Sequence, residues 1–175
     1  MRIAIDPGAS GAIAWEHEGN VSVQKMPDTP TGIFECLKWM SGIGKLSGTM
    51  ECQVERVGGY MPGNSGPAAV TFARHCGHID MALIALDIRT LKPVGPTEWE
   101  NAVCPGLPHY KPPKPPIPKH DKEARKAEER KKAAIKRKRK NMIKDRMQRL
   151  YPHLKTTLNT ADALGILTYM LEHKP

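Results

Sequence analysis

The stretch IAIDPGASGAIAW, which runs from Ile3 to Trp15, predicts two strands joined by a short turn. Apolar side chains alternate up to Asp6, Pro7-Gly8 ends the first strand, and apolar residues resume after Gly11. A carboxylate inside a core-forming strand costs free energy unless a cation or a hydrogen-bond donor meets it. The stretch therefore predicts a hairpin that carries one unexplained acid, Asp6.

The elements after this hairpin extend the sheet and add helices. Val21 and Val23 alternate in a third strand, and the short connections favour antiparallel neighbours. Strand patterns also cover Glu51–Val57 and Ile88–Val94. Helices are expected to begin at or near Pro30, Pro67, Pro96, Asp121 and Thr160. This order predicts an α/β protein with a mixed five-stranded sheet, three antiparallel strands followed by two parallel ones, and helices on both faces.

Two of these helices are strongly apolar. The helix after Pro67 carries a stripe with spacings of three and four residues, made of Ala69, Phe72, Cys76, Ile79, Leu83 and Leu86. The final helix, Thr160–Glu172, is apolar on most sides, so we expect it to be buried against the sheet. The long helix Asp121–Leu150 has only a thin apolar stripe near its C-terminal end.

The net charge of +9 is concentrated in one segment. Residues 119–149 contain 15 Lys and Arg against 5 Asp and Glu, whereas the remainder contains 12 against 13. A polyanion is the natural partner of such a segment, although a solvated charged helix is an alternative. The residues expected to contact such a polyanion are Lys136, Arg137, Lys138, Arg139, Lys140 and, outside the segment, Lys155.

This uneven charge divides the chain into three parts. Residues 1–104 and 150–175 are expected to form the folded α/β core. Residues 105–118 contain seven prolines and predict an extended linker. Residues 119–149 form the basic helical segment.

Composition excludes several other classes of protein. No run reaches the roughly 18 apolar residues of a membrane span, so no membrane association is expected. The start, MRIAIDPG, reaches an acid at position 6, so no secretory leader is expected. The four cysteines form no CxxC pair and predict reduced core residues rather than a zinc site or disulfides. We therefore expect a cytoplasmic protein.

Three acids lie on separate elements that are expected to be buried. The crossover between parallel strands places the strand ending in Glu55 beside the strand ending in Asp6, and Asp162 lies in the first turn of the final helix. Oxygen ligands alone favour Mg²⁺ or Mn²⁺ over zinc. The three acids therefore predict a shared divalent-metal site.

Each acid also has a simpler interpretation. Asp6 precedes Pro7-Gly8 and is a typical turn residue. Glu55 is a candidate for pairing with Arg56 or another cation at a strand end. Asp162 favours a helix N-terminus through the helix dipole, with Asn159 as the N-cap.

Four segments together resemble the RuvC-type Holliday junction resolvases of the RNase H-like superfamily. Ile3–Trp15 resembles their first hairpin, and VERVGGYMPGNSGPAAVTFARHCGHIDMALIALDI (Val54 to Ile88) resembles their second-acid strand, loop and dimer helix, best in phage-borne members. KPVGPTEWENAV (Lys92 to Val103) resembles their strand, Pro and Trp segment. ADALGILTYML (Ala161 to Leu171) resembles the terminal acid-bearing helix.

The resemblance implies an activity. Asp6, Glu55 and Asp162 correspond to the family's catalytic acids, which hold two divalent ions, Mg²⁺ with Mn²⁺ as a substitute. The implied reaction is phosphodiester hydrolysis by a metal-activated water, leaving a 5′-phosphate and a 3′-hydroxyl. A homodimer acting on a four-way DNA junction, in a bacterial or phage-infected cell, is also implied.

The chain departs from the family at two positions that bear on function. Asn159 stands where the family has an acid or a histidine; an amide oxygen can ligate a hard cation but brings no charge. Gly58 stands where bacterial members carry an aromatic wedge, so Tyr60 and Met61 become the candidates for stacking on an unpaired base. A non-catalytic protein that binds branched nucleic acid with a degraded metal site is the rival interpretation.

Two further features have structural interpretations. Trp99 and Phe72 are expected in the core. His75 and His78 flank Cys76 on the helix stripe, and a transition-metal site there is the less favoured alternative.

Overall fold

The computed structural model describes residues 1–46, 48–57 and 65–173. Five strands form one sheet in the order β3-β2-β1-β4-β5, in which β1, β2 and β3 pair antiparallel and β4 and β5 pair parallel. The strands are β1 Arg2–Asp6, β2 Ala12–His17, β3 Asn20–Lys25, β4 Glu51–Val54 and β5 Arg89–Thr90. The helices are α1 Pro30–Leu46, α2 Gly66–Ala85, α3 Pro96–Val103, α4 Lys122–Leu150 and α5 Ala161–Glu172. The predicted fold class is confirmed.

Alternation along the central strands sends side chains into two separate cores. On one face, Ile3, Ile5 and Ile13 pack with buried residues of α1 and α2. On the other face, Ala4, Ala12 and Ala14 pack with α5 and with α3 and α4. Alanines on this second face leave room for α5 to lie directly on β1 and β2. The helices therefore lie on both faces, as the sequence predicts.

The fifth strand is shorter than the predicted Ile88–Val94. Regular pairing covers Arg89 and Thr90, and a single bridge joins Val94 to Glu55. Leu91 N donates to Cys52 O at 2.8 Å and Val94 N donates to Val54 O at 3.1 Å. Pro93 lies between these two donors and has no N–H of its own, so the ladder is interrupted there.

The stripe on α2 is buried over the C-terminal part of the helix. Ile79, Ala82 and Leu83 are buried, whereas Phe72 and Cys76 are half-buried. The expectation that Phe72 is a core residue is therefore wrong, because its ring lies beside Gly8 on the wall of a cleft. Trp99, by contrast, is 1% exposed.

The charged helix α4 begins after Asp121, whose side chain accepts from Ala124 N at 2.9 Å as an N-cap. Its buried residues are Ile143 and Met147, which dock its C-terminal part on the α5 side of the sheet. Residues 105–120 contain neither helix nor strand. Tyr110 of this proline-rich segment lies against α4, with Lys132 Nζ 5.9 Å from its ring centroid. None of the described helices is long and apolar enough to cross a membrane.

Candidate active site

Three carboxylates from three different elements line one cleft of about 650 Å³. Asp6 ends β1, Glu55 directly follows β4, and Asp162 lies in the first turn of α5. The cleft also contains Lys140 of α4 and Asn159. The structure thus brings together the three acids that the sequence singles out, on a polar cleft at the carboxyl ends of two parallel strands.

Backbone pairing fixes the relative position of Asp6 and Glu55. Ile5 is in register with Val54 in the parallel pair, and Glu55 N donates to Ile5 O at 2.9 Å. The turn after Asp6 is tight: Gly11 N donates to Gly8 O at 2.9 Å, and a side chain at Gly11 would collide with the Asp6 carbonyl. Glycine is therefore required where the turn passes Asp6.

Burial and mutual repulsion make the carboxylates hard to ionise. Burial, reinforced by the charges of Glu55 and Asp162, raises the pKa of Asp6 to about 8. Burial also raises the pKa of Glu55 and of Asp162. Positive charge at Lys140 acts in the opposite direction on all three pKa values. A cleft of this kind favours any cation that can approach the three oxygens.

Glu55 is held from the side by an aromatic residue. Trp99 Nε1 donates to Glu55 Oε1 at 2.8 Å, which opposes part of the burial effect on the pKa of Glu55. The Trp99 ring lies on Gly165 of α5, where a Cβ would collide with it. Trp99 is therefore a core residue, as expected, and also orients a site residue. The sequence interpretation missed this second role. The one feature that could have indicated it is that a buried indole N–H needs a hydrogen-bond acceptor.

Two residues of the predicted phosphate-binding set contact acids of the protein, although the Lys140 side chain is still 45% exposed. Lys140 Nζ lies 3.5 Å from Asp162 Oδ2. Arg139 forms an ion pair with Glu100 of α3, which is 8% exposed. Nothing in the sequence indicated these contacts, because a run of five consecutive basic residues does not show which of them contacts an acid of the folded protein. Lys136, Arg137, Lys138 and Lys155 are exposed.

Asn159 lines the cleft and does not cap α5. Thr160 is the residue before the helix, and hydrogen bonds between Thr157 and Thr160 close the preceding turn, with Thr157 N donating to Thr160 Oγ1 at 2.9 Å. The interpretation of Asn159 as the N-cap is therefore wrong. Tyr60 and Met61 lie outside the described residues.

The donor set matches a hard divalent cation in chemistry. The site offers carboxylate oxygens with raised pKa values, and Asp162 Oδ1 is buried with no hydrogen-bond partner in the part of the chain that the structure describes. Within that same part, no three His, Cys, Asp or Glu side chains are arranged to hold a metal ion together as they stand.

Comparisons with known proteins identify the fold. No protein-family model matches the chain, and no curated protein sequence matches it. Among solved structures, the chain is similar to the Thermus thermophilus RuvC structure, with a TM-score of 0.53 and 12% sequence identity, over 98% of this chain and 95% of that chain. The phage-borne character expected from the sequence stays a prediction. The chain therefore has the RNase H-like fold of RuvC.

Proposed function

We propose that this protein is a metal-dependent endonuclease that cuts branched DNA, with the four-way junction as its substrate. The observation that carries the proposal is the cleft in which Asp6, Glu55 and Asp162 converge from three elements of a RuvC-like fold. Acids with raised pKa values in one cleft are typical of functional sites. The exposed basic part of α4 leads away from the same cleft and supports a polyanionic substrate.

The three acids, with Asn159 as a neutral fourth ligand, are the residues that would hold Mg²⁺, two ions per site, with Mn²⁺ as a substitute. Bound divalent ions supply an activated water and charge neutralisation for an in-line displacement at phosphorus. Trp99 holds the Glu55 carboxylate in one orientation through its indole N–H. Lys140 places a positive charge at the cleft, where it attracts the scissile phosphate and balances the carboxylates.

The remaining basic residues are proposed to bind the DNA arms. Lys136, Arg137 and Lys138 are exposed on α4 two to four residues before Lys140, so a strand in the cleft would pass close to them. Lys155 is exposed on the turn that leads to Asn159. Phosphate contacts of this kind position DNA without reading its sequence. Tyr60 and Met61, close in sequence to Glu55, are proposed to stack on bases at the crossover.

A homodimer fits both the junction and an exposed apolar face of this chain. Val70, Met81 and Ile84 on α2 are exposed by 59%, 62% and 71%, and Ala73 and Gly77 lie between them at helical spacing. A second copy of α2 packed on this stripe would bury it, and small residues permit close helix approach. Two-fold symmetry would then present one active site to each of two symmetry-related strands.

Cleavage of a panel of labelled substrates tests this proposal. A four-way junction, a fork, a flap and a linear duplex of the same sequence are incubated with the protein in Mg²⁺ or Mn²⁺. We expect the junction to be cut at paired positions and the duplex to stay intact. Equal cutting of all four substrates would contradict selectivity for branched DNA.

A second candidate function is binding of branched nucleic acid without cleavage. It is favoured by one observation: Lys140 contacts Asp162 directly, so a cation of the chain itself already lies beside one of the three acids. Under this function, the protein would bind the junction tightly in the same panel and cut nothing with either metal.

A further inference from the structure

Two consecutive residues of α3 reach toward two different components of the cleft. Trp99 donates to Glu55, which follows β4. Glu100, its neighbour, forms an ion pair with Arg139 of α4, and both partners are largely buried, with side chains exposed by 10% and 26%. Lys140 follows Arg139 in the chain and contacts Asp162. The short helix α3 therefore contacts Glu55 directly and is linked to Lys140 through Arg139.

The ion pair is not expected to raise the free energy of unfolding above that of an apolar pair at the same positions. Replacing a buried ion pair with apolar residues is often neutral or stabilising, whereas removing one partner leaves a buried charge without compensation. What a buried pair does provide is a fixed position for both partners, because each charge needs the other nearby: Glu100 Oε2 and Arg139 Nε are buried and make no hydrogen bond within the described residues. Here the fixed position concerns α4, whose apolar anchors Ile143 and Met147 both lie on the C-terminal side of Lys140.

Within the described part of the chain, this ion pair joins the segment of α4 that carries Lys140 to α3 on the N-terminal side of Lys140. The three residues before Arg139, Lys136, Arg137 and Lys138, are all exposed. Arg139, which follows these exposed residues in α4, is held by its charged partner Glu100 of α3. Positive charge at Arg139 also acts on Glu55 and on Asp162, where it lowers the pKa of each.

We propose that the Glu100–Arg139 ion pair is a positioning element that fixes α4 over the carboxylate cleft, so that Lys140 stays beside Asp162 while Trp99 holds Glu55. The proposal rests on the proposed endonuclease function for its catalytic consequence. Its structural part, the coupling of α3 to α4 and to the cleft, is independent of that function.

The test compares Glu100→Gln, Arg139→Gln and the double variant with two matched controls. Glu98→Gln changes an exposed acid of the same helix that accepts from the Tyr169 hydroxyl, and Arg89→Gln removes an exposed Arg–Glu pair, with Glu51, elsewhere on the sheet. Single-turnover cleavage at saturating protein is measured beside the junction Kd. We expect each Glu100 or Arg139 variant to lose about tenfold to a hundredfold in rate, as small misplacements at an active site do. The Kd should change by less than about threefold, and the controls should match the parent.

Two further readouts separate positioning from loss of fold. In the double variant no charge is left unpaired, so its unfolding midpoint should exceed that expected from adding the two single losses. The indole resonance of Trp99, one of three tryptophans, should shift in an ¹⁵N–¹H spectrum of each single variant, while those of Trp15 and Trp39 stay in place. If a neutral variant does not fold, Glu100→Asp and Arg139→Lys retain the charges with altered geometry and should show a smaller loss of rate.

Parental cleavage rates in the folded single or charge-retaining variants would overturn the proposal. Additive stability losses with an unmoved Trp99 resonance would also overturn it. If the parent itself cuts no DNA, the endonuclease function fails, and the stability cycle and the Trp99 resonance still decide whether the ion pair couples α3 to the cleft.

Discussion

Lys140 Nζ lies 3.5 Å from Asp162 Oδ2, so the basic helix α4 contributes a cation directly to the carboxylate cleft. The two residues come from different helices, and their contact links the proposed DNA-binding segment to the proposed catalytic centre. Positive charge at Lys140 lowers the pKa of Asp162 against the larger effect of burial. The basic segment therefore has two parts: exposed residues on its outer half and a cation within the site.

Lys140→Gln should reduce junction cleavage at saturating protein by on the order of a hundredfold, since it removes a positive group placed where charge develops. Lys140→Arg should recover part of the rate because it keeps the charge. Single-turnover kinetics in Mg²⁺ measure both, with Lys38→Gln, on the far helix α1, as a control. A Lys140→Gln variant that cuts as fast as the parent would show that the cation at this position serves no catalytic purpose.

The stability of the metal-free protein should depend on pH through Asp6. Its pKa in the folded protein is about 8, against 3.8 for an unperturbed side chain, so between these values the folded state holds a proton that the unfolded chain has released. The contribution of Asp6 to the free energy of unfolding is therefore largest below about pH 4. It declines as the pH rises toward 8, by up to about 1.4 kcal/mol per pH unit.

Asp6→Asn removes this dependence, so the variant should gain stability relative to the parent as the pH rises. Urea unfolding in EDTA at pH 5, 6, 7 and 8 measures the difference, with the exposed Asp28→Asn as a control. Parallel curves for the parent and Asp6→Asn would mean that Asp6 is ionised in the folded protein across this range. Added Mg²⁺ should narrow the difference by stabilising the ionised parent.

Asn159→Asp should tighten Mg²⁺ binding and raise the cleavage rate at low Mg²⁺, because added negative charge strengthens a divalent site. The side chain lines the cleft and does not have the capping role expected for it. Titration of cleavage and of thermal stability with Mg²⁺ measures the effect, and Asn20→Asp, at the start of β3, is the control. Coincident titration curves for the parent and Asn159→Asp would exclude this residue from the metal site.

The exposed residues Lys136, Arg137 and Lys138 should set part of the salt dependence of DNA binding. Replacing all three with Gln should reduce the slope of log K against log salt by up to about 2.7, or about 0.9 for each phosphate that is no longer neutralised. Cleavage at saturating protein should persist, because these side chains lie outside the cleft. Lys25→Gln combined with Lys38→Gln, which removes two positive charges from other elements, is the control. An unchanged slope would mean that these three side chains stay in solvent and do not contact DNA phosphates.

Most of the fold and the acids of the site could be predicted from the sequence alone. Period-two alternation around Asp6 and the apolar helix around Asp162 are local patterns, and the crossover rule brings Glu55 beside Asp6. The Trp99–Glu55 and Glu100–Arg139 contacts could not be predicted, since they depend on how α3 and α4 dock on α5. The length of β5 depended on Pro93, whose effect is visible only once its pairing partner is known. Nothing in the run Lys136–Lys140 distinguished the two residues that contact acids of the protein, Arg139 and Lys140, from the three that are exposed without such a contact.

The most direct measurement is cleavage of a labelled mobile four-way junction with Mg²⁺ by the parent and by Asp6→Asn, with binding measured in parallel. We expect paired cuts with 5′-phosphate and 3′-hydroxyl ends by the parent. The variant should make no detectable cuts and should keep a junction Kd within about threefold of the parent's, because phosphate contacts rather than Asp6 supply affinity. Cleavage by Asp6→Asn at the parental rate, or a parent that binds the junction and never cuts it, would contradict a metal-dependent endonuclease centred on Asp6.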